Sequence, residues 1–131
     1  MADQHIETRC DPETGLPLPG QMLCHVRDVR DAVALGLEYR VGDREARIIL
    51  VQTQKGVVGY INRCPHARAP LDWVGGKFLN PDGTLLRCAL HGALFILENG
   101  RCVSGPCRGQ SLMPFPVVAK NDAVYAGMRV M

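Results

Sequence analysis

Apolar positions in this chain come in short runs, broken at close intervals by Gly, Pro, Asn and Asp. Ala46 to Thr53 is rich in Ile, Leu and Val, and Val57 to Asn62 resumes after Gln54-Lys55-Gly56. That interruption reads as a hairpin turn carrying a glycine. Met22 to Val26 suggests a first strand. Asp28 to Leu37 carries weak helical spacing through Val29, Ala32, Val33 and Leu35, which predicts a short helical turn. Asn80-Pro81-Asp82-Gly83 is a strong turn signal, followed by Leu85-Leu86-Arg87 as a short strand. Leu94 to Leu97 predicts another strand, with Glu98-Asn99-Gly100 as the turn after it. Phe115 to Ala119 and Ala123 to Ala126 form a final hairpin around Asn121-Asp122. Short strands with frequent turns predict an all-β sandwich or barrel. Residues 1–20 are polar and punctuated by Pro12, Gly15, Pro17, Pro19 and Gly20, so they predict an irregular arm. Residues 21–131 predict a single domain with no repeat or linker.

Composition narrows the function classes. A length of 131 residues suits one ordinary domain, and a hydrophobic fraction of 47% suffices for its core. Aromatics are only 5%, so aliphatic side chains must fill most of that core. The net charge of +2 lacks the dense basic stripe of a nucleic-acid binder. No apolar run approaches the ~20 residues that span a bilayer. The start, Met1-Ala2-Asp3-Gln4-His5-Ile6-Glu7, has neither the basic nor the apolar region of a secretory signal, and a cytoplasmic protein is expected. Six cysteines then read as reduced thiols or metal ligands rather than disulfides.

The candidate chemistry lies in two short pairs. Cys64-Pro65-His66 and Cys88-Ala89-Leu90-His91 each offer one thiolate and one imidazole, and each follows a predicted strand. Two sulfur and two nitrogen donors suit a [2Fe–2S] centre in which Cys hold one iron and His the other. The same set can bind structural zinc and stabilise a binding module. However, Cys-x-His and Cys-x-x-His with 21 residues between them is not the usual finger spacing. Pro65 should stiffen the first loop and Gly92 should allow positive φ in the second. Gly105-Pro106 predicts a third, rigid loop over the site. Cys10, Cys24, Cys102 and Cys107 lack partners at ligand spacing and read as buried or idle thiols. His5 and His25 read as solvated or packing residues, and Trp73 as packing for the long loop. No Ser-His-Asp order, phosphate-binding glycine loop or acid pair appears, so no enzyme activity of its own is expected.

Cys64-Pro65-His66 with Leu71, followed by Cys88, His91-Gly92 and Phe95, resembles the Rieske motif C-x-H-x4-L … C-x2-H-G-x2-F. Gly100 to Pro106 is similar to that family's turn and proline loop, and the likeness runs over residues 22–127. The resemblance implies a β-sandwich of antiparallel sheets with two cluster-binding loops at one end. It implies one [2Fe–2S] cluster per chain, held by Cys64, His66, Cys88 and His91, the histidines through Nδ1. Ala89 stands where a proline commonly follows the second Cys. Ala69 and Leu90 occupy the positions of the inter-loop disulfide of respiratory Rieske subunits, so that bridge cannot form. Ala93 and Phe95 stand where high-potential members carry Ser and Tyr hydroxyls. The chain therefore resembles the soluble Rieske ferredoxins, which implies a flavin reductase as electron donor and an oxygenase as acceptor. An iron–sulfur accessory or redox-sensing subunit is the alternative. Arg63, Arg68, Lys77, Arg87, Arg101 and Arg108 lie near the motif, either as solvated charges or as a positive rim that steers an acidic partner.

Overall fold

A computed structural model describes residues 9–65, 68–72, 77–89 and 92–128. Its elements run β1 (Met22–His25), α1 (Val26–Ala32), β2 (Ala34–Val41), β3 (Arg44–Thr53) and β4 (Gly56–Ile61). They continue as β5 (Leu85–Arg87), β6 (Leu94–Ile96), β7 (Cys102–Ser104), β8 (Val117–Lys120) and β9 (Ala123–Ala126). The strands form three antiparallel sheets of three strands each, in the orders β1-β9-β8, β2-β3-β4 and β5-β6-β7. The expected all-β, antiparallel class is what is observed.

Strand β3 organises the two cores. Ile48, Ile49, Leu50 and Val51 are each 0% exposed. Strand alternation sends Ile49 and Val51 into one cluster with Leu86, Phe95 and Leu112, and with both Cys64 and Cys88. Ile48 and Leu50 enter the other, with Val29, Phe115 and Val124. A strand segment covered on both faces needs apolar residues at every position, which is why Ile48 to Val51 reads as a continuous apolar run. Each such buried side chain contributes about 1.5–3 kcal/mol.

The turns follow from local chemistry. Thr53 closes the β3–β4 hairpin: its hydroxyl accepts from Lys55 N–H at 3.1 Å and donates to the Gly56 carbonyl at 2.8 Å. Asn121 and Asp122, at φ 52° and 66°, provide the two positive dihedrals of a type I′ turn between β8 and β9.

Two elements differ from expectation. The helix ends at Ala32 instead of reaching Leu37, because Val33 takes φ 65° and leaves the helical region. From Ala34 the burial pattern alternates, and all eight residues of β2 pair with β3. Pairing with the longest strand outweighs weak helical spacing. Strand β7, three residues beside Gly100 and Gly105, is too short to show a period. Among the described residues, no helix is long and apolar enough to cross a membrane.

Candidate metal centre

The two Cys loops have the same backbone closure. In the first, Cys64 N–H donates to Ala69 O at 2.8 Å and Arg68 N–H donates to Cys64 O at 2.8 Å. In the second, Cys88 N–H donates to Ala93 O and Gly92 N–H donates to Cys88 O, both at 2.9 Å. Each loop turns through a left-handed residue four positions after its cysteine, Arg68 at φ 58° and Gly92 at φ 72°. The sequence predicts this conformation at Gly92 but not at Arg68, since arginine carries no such signature. The loops are tied together where Ala89 N–H donates to Leu71 O at 2.7 Å. Both cysteines are buried, Cys64 at 1% and Cys88 at 0% exposure.

Strands feed both loops, and two further contacts support them. Asn62, at the end of β4, is buried; its Oδ1 accepts from Leu71 N–H at 2.8 Å and its Nδ2 donates to Asp72 Oδ1 at 3.1 Å. It thus joins the two ends of the first loop. Sequence reasoning passed over this residue, although a polar side chain closing an apolar strand two positions before Cys64 was a usable signal. Gly105 packs on Ala93 in the second loop, so closely that a Cβ at Gly105 would lie 2.8 Å from Ala93 Cα. The predicted Gly105-Pro106 loop therefore does cover the second Cys loop.

His66 and His91 lie outside the described residues, as do Leu90, Trp73 and His5. His25 is exposed beside the start of α1, where its backbone N–H donates to Asp28 Oδ2 at 3.2 Å. The remaining cysteines divide into two groups. Cys10 and Cys24 are half-buried, and burial followed by the charge of Asp28 pushes Cys24 up to about 11. Cys102 and Cys107 are buried, with their sulfurs 2.9 Å apart. Burial, then the hydrogen bond and charge of Cys102, then the charge of Cys64 push the Cys107 thiol up to about 12. Both are buried thiols, as expected, and their contact with each other adds to that reading.

The six basic residues are all exposed. Arg63 and Arg68 line a groove of about 310 Å³ with Cys64, Pro65, Ser111 and Met113. Lys77 and Arg87 instead line a separate hollow with Asp82 and Ala34. Met113, part of the lining of that groove, is an apolar side chain 68% exposed.

These loops suit a thiolate-bound metal. Two buried sulfurs on matched, cross-tied turns provide soft donors on a frame that need not rearrange. Cys64 and Cys88 share one buried cluster with Cys102 and Cys107. Even so, among the described residues no three potential ligands gather around a metal position.

Comparison with known proteins shows a family and a fold. The family model described as the Rieske [2Fe-2S] domain matches residues 20–120. No curated protein matches the sequence. Among solved structures, the ferredoxin of Sphingomonas yanoikuyae B1 is similar, with TM-score 0.62 and 23% identity, over 84% of this chain and 99% of that one. The ferredoxin of carbazole 1,9a-dioxygenase from Nocardioides aromaticivorans IC177 superposes with TM-score 0.64 and 19% identity, over 86% of this chain and 100% of its own. A putative nitrite reductase NADPH small subunit matches with TM-score 0.56 and 19% identity, over 83% of this chain and 98% of its own. At these identities the likeness establishes a shared fold.

Proposed function

Because this chain belongs to the Rieske [2Fe–2S] domain family, we propose that it is a one-electron carrier whose cluster is held by Cys64 and Cys88 on one iron and His66 and His91 on the other. The bound cluster would supply a one-electron redox site, at a potential above that of an all-cysteine cluster because neutral imidazoles replace two thiolates. The observation that carries this reading is the matched closure of the two Cys loops, with both cysteines buried and the loops tied through Ala89 and Leu71.

The chain's own residues would do the rest. Asn62 and the Ala89–Leu71 bond hold the loops rigid, so that little moves when the charge changes. Ala93 and Phe95, both buried, exclude water and offer no hydroxyl to a cluster sulfur, which keeps the potential low in the Rieske range. Exposed Arg63 and Arg68 beside the Met113 groove would receive an acidic face of the acceptor in a small, transient interface.

The role is that of a ferredoxin component in the cytoplasm, taking electrons from a flavin reductase and passing them to an oxygenase. It would have no substrate site of its own. Likeness to two ferredoxins that the chain covers almost end to end supports this choice. The accessory-subunit reading draws its support from the likeness to the putative nitrite reductase small subunit.

Pulsed EPR on the reduced protein tests the ligand set. Couplings from two histidine nitrogens are expected, and they should fall to one in His91→Cys. A colourless zinc protein, or a spectrum without nitrogen coupling, would refute the assignment. Stopped-flow mixing of reduced protein with a purified oxygenase separates carrier from accessory subunit: single-turnover transfer is expected, and failure to reduce any oxygenase or reductase partner counts against the carrier.

A further inference from the structure

We propose that Cys102 and Cys107 form a dithiol–disulfide modification site, closed by a small hydroperoxide, in the loop that covers the second Cys loop. Neither residue is among the proposed cluster ligands, so this inference stands apart from the electron-carrier reading. Cys107 donates its S–H to Cys102 Sγ at 2.9 Å, and Cys102 donates to the Ser104 carbonyl at 3.2 Å. A disulfide needs a separation of about 2.05 Å, so the two sulfurs must close by less than about 1 Å. The backbone holds them facing: Cys102 N–H donates to Gln110 O and Gln110 N–H donates to Cys107 O, both at 2.8 Å.

Access selects the oxidant. Cys102 and Cys107 are 1% and 2% exposed, whereas Val103, Ser104, Gly105, Pro106 and Arg108 are all exposed. Buried thiols under exposed loop residues favour a small oxidant such as a hydroperoxide over a protein disulfide.

The chemistry balances in two steps. One cysteine sulfur attacks the peroxide O–O bond, giving a sulfenic acid and releasing water or an alcohol. The second sulfur then attacks the first; the S–S bond forms, the S–O bond breaks, and water leaves. Two thiols lose two electrons and two protons, and the hydroperoxide is reduced. With the partner sulfur already in contact, condensation outruns further oxidation to sulfinic acid. The bond would fasten β7 to the far side of the loop whose Gly105 rests on Ala93.

Trypsin cuts after Arg101 and Arg108, so residues 102–108 leave as one peptide holding both cysteines. The iron-loaded protein is treated with hydrogen peroxide, denatured, alkylated and digested. The expected product is that peptide unalkylated and two hydrogen masses lighter, restored to double alkylation by reductant, with the visible absorption of the treated protein retained. Full double alkylation at doses that oxidise Cys24 would overturn the proposal. So would sulfinic acid in this peptide, or crosslinks from it to Cys64 or Cys88. In Cys102→Ser and Cys107→Ser the surviving thiol should yield a sulfenic acid trapped by dimedone; absence of the adduct in both folded variants is a second refutation.

Discussion

Replacing Asn62 with alanine removes the strut between the two ends of the first Cys loop. Asn62 is 6% exposed and its backbone partner Leu71 is 0% exposed, so water does not replace what is lost. The Leu71 N–H, bonded at 2.8 Å, is left without its acceptor. A buried unsatisfied donor costs about 1–3 kcal/mol. The half-buried bond to Asp72 at 3.1 Å adds about 1 kcal/mol. A total near 3 kcal/mol in a domain of this size lowers Tm by about 10 °C. Thermal unfolding followed by circular dichroism measures it, and iron per chain reports loop integrity. Asn62→Asp sharpens the test, because it keeps the acceptor for Leu71 but sets a second carboxylate against Asp72. That repulsion raises the pKa of the new carboxyl in the folded state. The protonated form is therefore favoured by folding, so the deficit of this variant shrinks as pH falls through the carboxylate range and is full at neutral pH. If Asn62→Ala unfolds within about 2 °C of the parent with full iron, the strut contributes nothing.

Other expectations follow from the same geometry. Ala93→Ser combined with Phe95→Tyr should raise the midpoint potential by about 40 mV per hydrogen bond gained, taking ~1 kcal/mol each, and voltammetry of a folded variant showing no rise would sink the hydrogen-bond account. Gly105→Ala meets both a φ of 102° and Ala93 Cα at 2.8 Å; a loss of about 1–3 kcal/mol and faster bleaching under chelator are expected, and a parental bleaching rate would count against the cover. Arg68→Gly relieves a left-handed arginine at φ 58°. It should hold or raise stability by up to about 1 kcal/mol, and a clear fall in denaturant midpoint contradicts that. Electron transfer to an acidic acceptor should slow as salt rises, since Arg63 and Arg68 are exposed. Arg63→Gln should flatten that dependence, and a flat response in the parent protein refutes steering.

The sequence disclosed what depends on neighbouring residues. Strands β3 and β4, the Asn121-Asp122 turn and the Gly-Pro cover were legible because apolar runs and turn chemistry are local. The two Cys loops were legible for the same reason, each being a ligand pair at the end of a strand. The helix end was not, because pairing with β3 decides it. Ala34 and Leu35 pair with Val51 and Leu50, which lie outside any local window centred on Ala32. Asn62 was missed because its value depends on Leu71 and Asp72, which only the folded loop brings within reach. The contact between Cys102 and Cys107 was not legible, because a spacing of five residues says nothing of facing sulfurs until β7 and the return at Gln110 are in place.

Strand β3 has a consequence for how the molecule opens. Its inner residues belong alternately to the core beneath the Cys loops and to the core beneath α1 and β9. Neither half can melt without stripping one face of a strand that the other half still needs. Hydrogen exchange at Ile48 to Val51 should thus proceed only through global unfolding, with all four amides sharing one opening free energy. Subglobal release of the Cys loops alone is penalised by the same wall, so metal loss and unfolding become one event.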